Sequence, residues 1–122
     1  MAEPSNGRHE LAEDLTPEII DRHRAFASLI EELEAVDWYE QRAEAARDDE
    51  LRAIIAHNRD EEKEHAAMLL EWLRRRDTCL DASLRAYLFR GGPIVGIERE
   101  SLTRQGTQDG SLAIGSLRED RP

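Results

Sequence analysis

Glu62 and His65 are the residues whose types and spacing point most directly to chemistry in this sequence. Side chains three positions apart in a helix project side by side, and a Glu-x-x-His pair is the ligand arrangement of carboxylate-bridged di-iron sites. Both residues interrupt an otherwise apolar helix face. Burying an unpaired carboxylate costs several kcal/mol. We therefore expect either a bound cation or, in a metal-free core, a Glu–His hydrogen bond with an arginine partner.

A third candidate ligand, Glu32, lies in the middle of the apolar stripe predicted for the preceding helix. A dinuclear carboxylate site takes one Glu from each of two helices and a Glu-x-x-His pair from each of two more. This chain offers half of that set, and a symmetric dimer is the commonest oligomer. We predict that Glu32, Glu62 and His65 bind metal together with a second copy. The mixed carboxylate and imidazole set suits iron and is also compatible with zinc or manganese.

Further candidates lie on the same first helix. Tyr39 is two turns from Glu32 on the apolar stripe, where its phenol is either near the metal, as a ligand or electron donor, or an ordinary core tyrosine. Glu31, Glu34 and Trp38 cluster on the opposite face. The two acids are either ordinary surface residues or, when paired across a dimer axis, a place where cations collect.

His57, Glu61 and Glu64 form an i, i+4, i+7 group on a flank of the second helix. Such a group can bind a cation weakly, but a charged run on a helix is usually only a solvated face, and that interpretation is favoured here. The sequence has no glycine-rich phosphate loop and no convincing nucleophile–base pair.

Two long helices are expected to position these residues. The first, residues 18–47, follows Thr16 and Pro17, which form an N-cap and first-turn signal. The second, residues 50–76, comes after a very short connection, and this predicts an antiparallel hairpin. A shorter third helix is predicted over residues 81–89.

The domain organisation is predicted from composition along the chain. An apolar island that follows a polar linker is typical of a segment that docks on a partner. The predicted segments are a disordered lead-in (1–15), a helical hairpin domain (16–98), a flexible linker (99–110) and a docking tail (111–122).

Composition limits the classes of partner. The formal net charge of −10 disfavours nucleic acid and favours cations near the surface, although acidity also serves solubility. The lone Cys79 cannot form an internal disulfide, which favours a reducing compartment. No apolar run approaches the roughly 20 residues of a membrane span, and the polar start is unlike a secretory signal. We expect a cytoplasmic protein with neither a membrane nor a nucleic-acid partner.

Five strings of the sequence have the order found in one known family. They are residues 31–39 (EELEAVDWY), 57–65 (HNRDEEKEH), 87–89 (YLF), 92–94 (GPI) and 111–117 (SLAIGSL). Together they resemble the encapsulated ferritins. Because long contiguous strings and the tail agree, the resemblance is specific.

The resemblance implies that each chain is half of a ferritin and that two chains form a di-iron ferroxidase centre across their interface. It implies that five dimers form a ring, a homodecamer, which is cargo for an encapsulin shell that stores the oxidised iron. Glu32, Glu62 and His65 match the iron ligands, with either glutamate as the bridging carboxylate, and Tyr39 lies near the centre.

The resemblance also assigns auxiliary features. A site where iron enters matches Glu31 and Glu34, with Trp38 beside it. A peripheral cation site, for calcium or zinc, matches His57, Glu61 and Glu64. The part of the tail that docks on the shell matches Leu112, Ile114, Gly115 and Leu117.

We therefore expect an all-α protein, an antiparallel two-helix hairpin with a short C-terminal helix that completes a ferritin-like four-helix bundle by dimerisation. The expected activity is oxidation of Fe²⁺ by dioxygen or peroxide inside an encapsulin nanocompartment. The alternative is a non-enzymatic, structural adaptor whose Glu–His set holds zinc or calcium and clamps the dimer.

Overall fold

The computed structural model describes residues 7–100, and within that range the regular structure is helical, with no strand. The predicted all-α hairpin with a short C-terminal helix is therefore confirmed. The proposed tail at 111–122, including Leu112, Ile114, Gly115 and Leu117, lies outside the described residues, as does the linker beyond residue 100. The elements are a 3-10 turn (Ala12–Asp14), α1 (Pro17–Ala45), α2 (Asp49–Arg75), α3 (Thr78–Tyr87) and helical residues 94–100.

Side-chain caps fix where the long helices begin. Thr16 Oγ1 accepts a hydrogen bond from the Ile19 amide at 3.2 Å, and Asp48 Oδ2 accepts one from the Leu51 amide at 2.8 Å. Each bond satisfies an amide that has no partner within its own helix. The Arg52 guanidinium reaches back from α2 and donates to the carbonyls that end α1, with Nε 3.2 Å from the Ala43 oxygen. These hydrogen bonds join the start of α2 to the end of α1 and stabilise the tight turn between them.

The described chain divides between Leu73 and Arg74 into two compact units. In the first unit the buried apolar residues are Ala25, Ala43, Ala66 and Leu73. Three of these four are alanines, so α1 and α2 approach closely but bury few large side chains.

Many large apolar side chains of the first unit remain exposed, among them a stripe along α1. A hairpin with this much exposed apolar surface has the character of one half of a larger core, because monomers rarely expose contiguous apolar patches. The members of this stripe are exposed to similar extents: Ile19 (43%), Phe26 (45%), Ile30 (41%) and Leu33 (54%).

In the second unit, α3 begins three residues earlier than the sequence predicted. Asp77 Oδ1 accepts a hydrogen bond from the Leu80 amide at 3.0 Å, so the cap precedes Thr78 rather than Asp81. After α3, Phe89 adopts a left-handed backbone with φ 63°, and Gly92 follows with φ 85°. These two residues turn the chain before the helical residues 94–100, on which Ile97 is buried.

Asp81 binds two arginines within the second unit, Arg74 and Arg85, the latter with Nε 2.9 Å from Oδ1. The hydrogen bonds from Arg85 and then Arg74 lower the pKa of Asp81 below its ordinary value. Because its pKa is lower in the folded state, Asp81 contributes stability above its unfolded pKa and loses it as the pH falls through the folded one.

We expect Asp81→Asn to lower the melting temperature at pH 7, with the deficit relative to the parent protein shrinking below about pH 4. Thermal unfolding followed by circular dichroism at several pH values measures this. Asp37→Asn is the matched control, because Asp37 accepts its hydrogen bond from the neutral Gln41 side chain. A deficit independent of pH would contradict the assigned role of Asp81.

Candidate metal centre

Glu32, Glu62 and His65 come together at the middle of the hairpin. Each offers a ligand atom, and these atoms all lie within 4.8 Å of one another. Nδ1 of His65 is 3.0 Å from Oε1 of Glu62 and 3.7 Å from Oε2 of Glu32. The cluster forms because α1 and α2 run antiparallel, which places the centre of one helix against the centre of the other. The three side chains are partly exposed, so the cluster opens at the surface of a single copy.

Each of the three groups shifts the pKa of its neighbours. The pKa of Glu32 is raised, chiefly because its protonated carboxyl hydrogen-bonds to Glu62, and also by burial and the negative charge of Glu62. The pKa of Glu62 is lowered, because its carboxylate accepts that hydrogen bond and is held by His65. The hydrogen bond with Glu62 is also the main cause that raises the pKa of His65. The groups that shift one another's pKa values are therefore close enough for a divalent cation to bridge them.

The donor set fits iron. Two carboxylates and one imidazole nitrogen are the mixture found in helical di-iron sites, and each is placed so that one cation can touch all three. Among residues 7–100, no other set of three acidic, histidine or cysteine side chains comes as close together. The sequence also allowed a metal-free cluster with an arginine partner. No arginine is among the groups that shift the pKa values of Glu32, Glu62 and His65.

A groove of about 670 Å³ runs from this cluster toward the start of α1 and the end of α2. Three of the residues that line it, Asp21, Ser28 and Met68, were not predicted from the sequence, although their spacing from Glu32 or His65 at eleven, four and three positions was the available signal. The groove is lined by Asp21, Ala25, Ser28, Glu32, His65, Met68, Leu69 and Trp72.

The other candidates on α1 are not members of the cluster. Glu31 and Glu34 are exposed, and Trp38 beside them is 49% exposed. Tyr39 is half-buried, and the Arg42 guanidinium lies 5.5 Å from the centre of its ring. A single copy therefore does not bring Glu31 and Glu34 into a cation site with a third ligand.

The group on the flank of α2 is looser. His57 Nε2 lies 3.8 Å from Oε2 of Glu61, and both side chains are largely exposed. Glu64 is exposed one turn further along. Within one copy this is an ordinary solvated face that contains one ion pair.

None of the helices in residues 7–100 is both long and apolar enough to cross a bilayer.

Comparison with known proteins identifies the family. The sequence matches the EncFtn-like family over residues 7–91. The chain belongs to the EncFtn-like family. This span contains both helices of the hairpin and all three residues of the cluster, and the resemblance drawn from the sequence strings is confirmed.

Relatives of this EncFtn-like chain are similar over nearly their whole lengths. An encapsulated ferritin-like protein of Rhodospirillum rubrum is 54% identical over 129 aligned residues, with 97% of this chain and 92% of the relative covered. A ferritin-like protein of Thermotoga maritima is 50% identical over 109 residues, with 89% and 96% covered. A protein from Nitrosomonas europaea with a crystal structure is 60% identical in sequence. The two structures align with a TM-score of 0.71, and the alignment covers 72% of this chain and 97% of that chain.

Proposed function

We propose that two copies of this chain form a di-iron centre that oxidises Fe²⁺ to Fe³⁺, with dioxygen or peroxide as the electron acceptor. The observation that carries the proposal is the convergence of Glu32, Glu62 and His65, whose ligand atoms lie within 4.8 Å of one another. Membership of the EncFtn-like family and the ferritin-like names of the relatives support an iron substrate.

Charge and ligand number both favour a dimer. One copy supplies two carboxylates and one imidazole, too few for two metal ions. Two copies supply twice that set, and their four carboxylate charges balance two divalent cations. The cluster is partly exposed in one copy, so a second copy placed over it would also exclude water.

The residues have separate roles in this proposal. Glu32 and Glu62 hold the two Fe²⁺ substrates, one of them bridging, and His65 gives a terminal nitrogen. Fe²⁺ competes with protons for Glu32 and for the ring nitrogen of His65, whose pKa values are both raised, so its affinity falls as the pH falls. Each Fe²⁺ gives one electron to the acceptor, and two electrons with two protons convert dioxygen to hydrogen peroxide. Tyr39, two turns from Glu32, is proposed as a nearby electron donor.

The auxiliary acids are proposed to concentrate cations. Glu31 and Glu34 of two copies would meet across the dimer axis, beside Trp38, and attract Fe²⁺ toward the centre. The formal charge of −10 has the right sign for such steering. The flank of α2 is proposed as a weaker peripheral site for calcium or zinc, formed by His57, Glu61 and Glu64.

The assembly is proposed to be a ring of dimers held as cargo inside an encapsulin shell in the cytoplasm, with no nucleic-acid or membrane partner. The relative from Rhodospirillum rubrum is an encapsulated ferritin-like protein, and this supports encapsulation. Its alignment leaves 3% of this chain uncovered, about four residues of 122, so it extends into the twelve-residue tail at 111–122. Residues Leu112, Ile114, Gly115 and Leu117 are proposed to dock on the shell.

We expect deletion of residues 111–122 to abolish co-purification with a co-expressed shell protein while Fe²⁺ oxidation continues at the parent rate. Docking would be lost because the apolar side chains that contact the shell are gone, whereas the ligands are untouched. The matched control replaces Leu112, Ile114 and Leu117 by serine, which keeps the length. Shell association that survives both changes would refute docking through the tail.

Oxygen consumption after addition of Fe²⁺ tests the proposed activity itself. The full chain is expected to consume dioxygen well above the rate of Fe²⁺ in buffer alone, and prior addition of Zn²⁺ is expected to inhibit this by occupying the same ligands. The non-enzymatic adaptor predicts a different result. It would bind Zn²⁺ and dimerise without any increase in oxygen consumption.

A further inference from the structure

The groove beside the metal cluster is lined by one thioether, that of Met68. Met68 lies three residues after His65, so the two side chains are neighbours on the same side of α2. In a single copy, Met68 is 59% exposed and lines the same groove as Glu32 and His65. Leu69 and Trp72 continue that wall, which makes the surface next to the cluster largely apolar.

We propose that Met68 is a modification site, where the thioether intercepts hydrogen peroxide produced at the metal centre and becomes methionine sulfoxide. The inference rests on the proposed function, since that reaction supplies the peroxide. It assigns to Met68 a protective role that none of the ligand residues performs.

The chemistry balances with the species already named. Two Fe²⁺ give two electrons, and dioxygen with two protons becomes hydrogen peroxide. A lone pair on Met68 Sδ then attacks one peroxide oxygen, the O–O bond breaks, an S–O bond forms, and the other oxygen leaves with both hydrogens as water. The thioether is oxidised by two electrons and the peroxide is reduced by two. Each chain removes one peroxide until a reductase restores the methionine.

Position makes Met68 the preferred target. Thioethers react with peroxide in two-electron steps without needing a low pKa, unlike thiols. Peroxide leaving the cluster through the groove meets Met68 within one helical turn of His65. Proximity of this kind raises the local concentration of the reactant far above its concentration in solution.

A control thioether far from the centre separates local from bulk oxidation. Leu51 is 48% exposed, close to the value for Met68, and lies 17 positions earlier in α2, roughly 25 Å along the helix. The variant Leu51→Met therefore carries two exposed thioethers on one helix at different distances from the cluster. Fe²⁺ is added to this variant in air, with catalase present to remove peroxide from solution, and the oxidised fraction of each thioether is measured by peptide mass spectrometry.

We expect Met68 to gain one oxygen atom about tenfold more often than the introduced thioether. A further change, Glu62→Gln, is expected to remove that difference because the centre no longer produces peroxide. Equal oxidation of the two thioethers, or an unmodified Met68 while oxygen is being consumed, overturns this inference alone. Absence of oxygen consumption overturns the proposed function and this inference together.

Discussion

Replacing Glu62 by glutamine is expected to lower the rate of Fe²⁺ oxidation by about a hundredfold or more. The substitution keeps the shape of the side chain, which lies 3.0 Å from Nδ1 of His65, but removes the negative charge that holds the cation and replaces one carboxylate oxygen by an amide nitrogen that cannot bind it. In a symmetric dimer a single substitution removes two ligands from each centre. The measurement is the initial rate of oxygen consumption after addition of Fe²⁺, at one protein concentration.

Glu61→Gln provides the matched control for this prediction. Glu61 precedes Glu62 directly, bears the same charge, and lies on an exposed face with Oε2 of its carboxylate 3.8 Å from Nε2 of His57. Its substitution is expected to change the rate by less than about threefold, since exposed ion pairs contribute little. If both variants lost activity to the same extent, the general acidity of α2 would be the cause and Glu62 would have no special role.

Introducing a charge into the exposed stripe of α1 is expected to dissociate the ring into dimers that still oxidise iron. Ile30 is 41% exposed and lies two residues before Glu32, on nearly the opposite side of the helix from the cluster. In Ile30→Asp, self-association through this stripe would bury an unpaired carboxylate, which is costly. The metal face is left unchanged by the substitution.

Analytical ultracentrifugation of metal-loaded protein measures this effect, with oxygen consumption recorded on the same samples. Ala53→Asp is the control, because it adds the same charge at an exposed alanine of α2. We expect a fall in mass for Ile30→Asp only, with its oxidation rate within about twofold of the parent. An unchanged mass would contradict a role for this stripe, and a loss of oxidation would place the stripe at the metal interface instead.

The sequence predicted the long helices well because their signals are local. Thr16 with Pro17 marks the start of α1, and the absence of Gly or Pro lets it run on. The cluster could be predicted for the same reason. A 3.6-residue period places Glu62 and His65 together on one face of α2, and it places Glu32 on the face of α1 that packs against α2. The structure adds the distances between atoms of different helices, which no periodicity contains.

What the sequence left undecided depends on contacts between distant residues or between copies. The first turn of α3 was missed because Asp77 was not considered as a cap, although it accepts the Leu80 amide. The raised pKa of Glu32 follows from the close approach of its carboxyl to that of Glu62, which spacing cannot give. The roles proposed for Glu31 and Glu34 need a second copy, and one chain cannot decide them.

The position of bound iron tests the central claim most directly. Crystals of the full chain, grown and soaked with Fe²⁺ without oxygen, can be measured on both sides of the iron absorption edge, so that anomalous scattering identifies the metal and its position. We expect two iron peaks related by a two-fold axis, each in contact with Glu32, Glu62 and His65 drawn from two copies. Iron bound within one copy alone, or only at other residues while these three face solvent, would contradict the account.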